Sequence, residues 1–165
     1  MTVIDHRRSG VAGPAPRTAA APRAQRPVVP LPASALDLLG RADAELVAAQ
    51  FSAEAWERFV HAHLAALRAG AAVLAVRGRP GGRRPPRTVW DMLTAVAPEL
   101  ADWASYFAAG AALRSAIEAG RVEFVSDARA EEVLCAAEDF LDEVRAVLRA
   151  AEVADGRHTA GARAS

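Results

Sequence analysis

The sequence predicts an all-α protein, an up-and-down bundle of four to five helices between disordered N- and C-terminal tails, and three observations carry that expectation. Apolar residues recur every three or four positions through the middle of the chain, the spacing of a helix face. Alanine, the strongest helix former, fills 42 of the 165 positions. No strand-like alternation outlasts the stretch from Arg121 to Val125.

Residues 1–33 read as a disordered tail, with six of the ten prolines and five arginines against one acid, Asp5. Proline fixes φ and removes backbone donors, and too little apolar side chain is present to offset the entropy of ordering. Ser34 is the expected N-cap of a first helix to about Gln50, with Leu36, Leu39, Leu46 and Val47 on its buried side. Ser52 is the expected cap of a second helix to about Val76, whose stripe includes Trp56, Phe59, Val60, His63, Leu64, Leu67, Ala71 and Leu74.

From Gly78 to Arg87, three prolines, three glycines and four arginines predict a basic loop. Thr88 with Asp91 three residues on resembles a capping box for a short helix holding Trp90 and Leu93. Pro98 starts another helix, to about Ala119, with Leu100, Trp103, Phe107 and Ile117 inward and Gly120 as its stop. Ser126 or Asp127 caps the last helix, which presents Val133, Ala137, Phe140, Val144, Val147 and Leu148 and ends near Ala154. Residues 155–165 repeat the composition of the first tail and are expected to fray. The domain proper is therefore residues 34–154, and its small residues predict a close approach of the second and fourth helices, or a flat face for a homodimer.

Charge and motifs narrow the chemistry. The 20 basic residues, all Arg, balance 20 acidic ones, so no global field selects nucleic acid or an acidic membrane. The most apolar stretch, Leu64 to Val76, is interrupted by Arg68, and no membrane span is expected. No apolar segment follows Arg7 and Arg8 and the chain has one cysteine, so the expected compartment is the cytoplasm. Phosphate-loop, dinucleotide and zinc-protease motifs are lacking, and His61 and His63 point about 200° apart on a helix. No metal and no cofactor are therefore expected. Cys135, among Glu131, Glu132, Glu138 and Asp139, reads as a small structural or surface residue, and Glu138, Asp139, Asp142 and Glu143 as a solvated face.

Arg58 and His63 are the remaining candidates. Five residues correspond to about 140° around a helix, which puts His63 on the apolar stripe with Phe59 and Leu67 while Arg58 faces elsewhere. That favours His63 as a core or interface histidine, with a catalytic role as the alternative and His61 exposed. Arg68, Arg79, Arg83, Arg84 and Arg87 are the candidate RNA contacts, set against a solvated loop. Arg114 falls in the inward register of its helix, and Glu138 is its expected partner.

The phrases RFVHAHLAALRAGAAVLAVRGRP, VWDMLTAVAPELADWASYFAAGAALRSAIEAG and AEDFLDEV resemble a family of small stand-alone actinobacterial proteins of the HEPN superfamily, over roughly residues 34–150. The resemblance implies a helical bundle that dimerises. It also implies the ribonuclease motif of that superfamily, an Arg and a His separated by about four to six residues, met here by Arg58 and His63. In that reading Arg58 holds the scissile phosphate and His63 serves the 2′-OH as general base or acid, without a metal. The function expected is a dimeric interaction or RNA-binding module without strong catalysis, and its alternative is a metal-independent endoribonuclease. The expected partners are a second copy, and RNA or another protein.

Overall fold

A computed structural model of the chain describes residues 30–82, 88–121 and 124–161, those after Glu152 by backbone alone. Most of the expected N-terminal tail, as well as Arg83, Arg84 and Arg87, lies outside the described residues. Within them the protein is all-α: α1 (Ala33–Phe51), α2 (Ala55–Arg77), α3 (Val89–Val96), a 3-10 turn (Pro98–Leu100), α4 (Ala101–Glu118) and α5 (Asp127–Gly161).

The helix ends follow local chemistry, not always at the residues the sequence suggested. Pro32, not Ser34, precedes α1, and its carbonyl accepts the N–H groups of Ala35 and Leu36. A proline needs no donor in a first turn, so the helix begins ahead of the serine. Ser52 closes α1 instead of opening α2: its N–H donates to the Ala49 carbonyl and its hydroxyl to that of Ala48. Glu54 then stands at the start of α2 without a side-chain cap. Thr88 caps α3 as expected, Oγ1 accepting the Asp91 N–H at 3.1 Å and donating to the Asp91 carboxylate at 2.7 Å. Gly120, at φ +72°, ends the fourth helix as expected. Its N–H donates to the Ile117 carbonyl, and that of Arg121 to Ala116, a pairing that needs the left-handed conformation glycine adopts without strain. The hydroxyl of Ser126 accepts the Arg129 N–H at the head of α5. No proline interrupts α5, and its backbone stays helical to Gly161, beyond the expected end at Ala154.

α2 touches α1, α3, α4 and α5. By length and composition it is apolar enough to cross a membrane, but its buried residues include Phe59, Ala62, His63, Ala66, Ala69, Val73 and Leu74, packed among those four neighbours. Against it α1 buries Ala35, Leu39, Ala42 and Ala49, while Leu36 and Val47 face outward, contrary to expectation. Positions 35, 39, 42, 46 and 49 alternate spacings of four and three, the seam of two closely packed helices, and alanine lets the backbones approach. The larger Leu36 and Val47 fall outside that seam. α5 lies across the pair, tied to α1 by Arg145 on Asp43 at 2.6 Å and by Gln50 on Glu138 at 2.7 Å.

At the centre, Phe107 of α4 packs on Trp90 of α3 (ring centroids 5.5 Å apart) and on Phe140 of α5 (5.4 Å). Each such fully buried side chain contributes about 1.5–3 kcal/mol. Glycines set two of the helix separations. A Cβ on Gly70 would meet Val89 at 3.3 Å, and one on Gly110 would meet the His63 ring at 3.1 and 3.3 Å. Gly40 has no heavy atom within 4 Å of such a Cβ.

These spaces predict opposite outcomes for similar substitutions. Gly40→Ala should raise stability in urea unfolding by about 0.5–1 kcal/mol through helix propensity. Gly110→Val should lower it by about 1–3 kcal/mol, because the added carbons drive His63 off its place. A stabilised Gly110→Val would contradict the packing of α2 on α4.

Candidate functional site

Arg58 lies in the first turn of α2. Its Nη2 donates to the carbonyl of Ser52 at 3.2 Å, and its Nη1 stands 3.8 Å from the carboxylate of Asp127 at the head of α5. The guanidinium thus joins the α1–α2 turn to the start of the last helix.

His63 faces another way. It is 1% exposed, enclosed by Phe59, Trp90 and Phe107, with Trp90 and Phe107 edge-on to its ring. Its Nε2 is 2.7 Å from the Phe107 carbonyl. A carbonyl only accepts, so Nε2 carries the hydrogen and Nδ1 the lone pair. Nδ1 is buried with no donor among the described residues. Burial pushes the imidazole below its ordinary pKa, outweighing the opposing bond to Phe107. The ring is therefore neutral and closed to solvent, and its bonds do not lead to Arg58. The structure does not bring the two motif residues together within the chain.

The histidine that reaches solvent sits two residues earlier, half-buried and not fully exposed as expected, in an arrangement the sequence did not show. His61, its side chain 37% exposed, has Nδ1 2.7 Å from Oε2 of Glu45 on α1, and Arg68 donates to Oε1 of the same carboxylate at 2.6 Å. His61 and Arg68 are seven residues apart and share one face of α2. Burial pushes the Glu45 carboxyl up, but the bonds from His61 and Arg68 together outweigh it and hold it below its usual range. The carboxylate can only accept, so His61 donates from Nδ1 and, when neutral, keeps a lone pair on Nε2. Glu45 lacked any local signal, because its role depends on the pairing of α1 with α2.

The other candidates separate. Arg68 is engaged by Glu45, whereas Arg79 is exposed and has no carboxylate partner among the described residues. Arg114 pairs with Glu118, four residues on, at 2.8 Å, and not with Glu138, which accepts from Gln50. The nearer acid on the same helix takes it. Cys135 is exposed; slight desolvation and the carboxylates of Glu131, Glu138 and Asp139 push its thiol up.

Residues 49–145, more than half of the chain, match the SAV_6107-like HEPN family. The chain belongs to that HEPN family. No curated protein and no solved structure matches it. The match spans α2, α3, α4 and most of α5, so the core around His63 lies within the HEPN region and most of α1 lies outside it.

The buried ring makes HEPN stability depend on pH. The unfolded chain takes up a proton on His63 near pH 6.5, the folded chain only at lower pH. Above that value His63 adds no pH dependence; as pH falls below it, folding is weakened by up to about 1.4 kcal/mol per pH unit. Urea unfolding at pH 7.5 and 5.5 should show this loss in the wild type and a smaller one in His63→Leu. Equal losses would contradict the neutral, buried ring.

Proposed function

We propose that this HEPN domain is a non-catalytic interaction module that pairs with a second copy of itself through the outer face of α1. The supporting observation is an apolar stripe that no other described residue covers. Leu36 is 54% exposed, Val47 52% and Phe51 85%, and the exposed Gly40 and Ala44 lie between them. These five positions are spaced four, four, three and four residues apart, one continuous helix face.

The stripe is self-complementary. In an antiparallel pair of α1 helices centred between Asp43 and Ala44, Val47 of each copy falls opposite Gly40 of the other, and Leu36 opposite Phe51. Large residues meet small ones at the middle and each other at the ends, as a two-fold interface requires. The enclosure of His63 supports the absence of strong catalysis. A reducing compartment such as the cytoplasm suits the free, exposed Cys135.

A second reading, metal-independent cleavage of RNA, is favoured by one observation: His61 is held by Glu45 through Nδ1 and keeps Nε2 for a proton. It moves the reactive histidine from His63 to His61. RNA contacts would then begin at Arg79, which has no carboxylate partner among the described residues, and continue through Arg83, Arg84 and Arg87.

Light scattering over a concentration series should give a dimer for the wild type and a folded monomer for Val47→Glu. A wild type that stays monomeric at every concentration would overturn the pairing. With EDTA present, RNA should remain intact; cleavage lost in His61→Ala would establish the second reading, and cleavage lost in a folded His63→Leu would restore the Arg58 and His63 motif.

A further inference from the structure

At the end of α2 remote from His61, a groove of about 280 Å³ opens between α1, α2 and α3. Its walls are Leu38 of α1, Ala71, Leu74 and Ala75 of α2, and Val89 and Met92 of α3. Ala71 and Ala75, one turn apart, form a floor with no side chain beyond Cβ, which is what leaves the space.

The one charged residue lining the groove is Arg79. Gly78, at φ +82°, ends α2 and turns the chain so that Arg79 stands at the groove. Its neighbour Arg77 is engaged by the Val96 carbonyl and by Glu99, which that contact holds below the usual carboxylate range. Arg79 has no such partner among the described residues. In the sequence, Gly78 to Trp90 contains four arginines and no acid, and Asp91 follows.

We propose that this groove is a binding site for a small amphipathic anion, a carboxylate with an unbranched apolar body, its tail on Ala71, Ala75 and Met92 and its charge on Arg79. A neutral apolar ligand would leave the guanidinium without a counter-ion, and a purely polar anion would leave the floor and walls uncovered. Liquid water takes roughly 30 Å³ per molecule, so the volume holds about nine water-sized groups, close to the ten non-hydrogen atoms of octanoate. The site is separate from the outer face of α1 and stands or falls independently of the pairing proposed there.

Methionine supplies a direct probe, because Met92 and Met1 are the only two in the chain. Octanoate, titrated into full-length protein labelled with ¹³C at the methionine methyl, should shift the Met92 signal saturably and leave that of Met1 in place. Arg79→Gln should weaken binding by about fivefold, as loss of an exposed charge contact does, and octanol should bind the wild type more weakly by a similar factor. Ala75→Trp, and Ala71→Phe as a second filling variant, each checked for folding by circular dichroism, should abolish the shift. Equal binding of octanol and octanoate, with Arg79→Gln indifferent, would overturn the anion assignment. Absence of a saturable Met92 shift with either compound, or persistence of the shift in both filled variants, would overturn the site.

Discussion

A hydrogen bond between His63 and the carbonyl of Phe107, 2.7 Å long and sealed from solvent, positions the helix on which the rest of this HEPN domain depends. α2 contacts every other helix, and at this point it meets α4. The bond works only because Gly110, one turn beyond Phe107, presents no side chain to the imidazole. It also has a cost. Nδ1 is left buried without a donor among the described residues, a penalty of about 1–3 kcal/mol, set against the packing of Phe59, Trp90, Phe107 and Phe140 around and beside the ring.

That constraint separates two meanings of one sequence pattern. Arginine and histidine with four residues between them resemble a ribonuclease motif, yet on a helix the same spacing sends the two side chains to different neighbours. Arg58 reaches back to Ser52 and across to Asp127; His63 reaches into the core. His61 is the half-buried histidine with a carboxylate partner, and Glu45, which orients it, lies on another helix and outside the residues that match the family.

Much of the fold was legible because its signals are local. Thr88 with Asp91, Gly120, and the alternating apolar positions of α5 each depend on neighbours within a turn or two, and each stands where the sequence placed it. The inner face of α1 was not legible by the same means. Leu36, Leu39, Leu46 and Val47 trace one helical stripe, whereas Ala35, Leu39, Ala42 and Ala49 trace another nearly as regular, and hydrophobicity alone prefers the first. The alanines go inside because α2 brings its own row of alanines against them, information held in the pairing and not in either helix. For Arg114 the error ran the other way: its partner Glu118 lies four residues on along its own helix, not on the distant helix where the sequence reading placed it. The site was the least legible part, since Glu45 acquires its role only when α1 and α2 come together, and since burial, not spacing, decides what a histidine does.

His63 is a neutral structural residue with its hydrogen on Nε2. Nitrogen NMR of the ¹⁵N-labelled imidazoles in the folded protein, followed from pH 7.5 to 5, tests this most directly. One ring should show a protected Nε2–H, an unprotonated Nδ1, and shifts that hold constant below the pH at which an ordinary histidine titrates. A His63 ring that titrates near pH 6.5 with rapid exchange of its ring hydrogen would contradict it and return that residue to the solvent-facing chemistry of the motif.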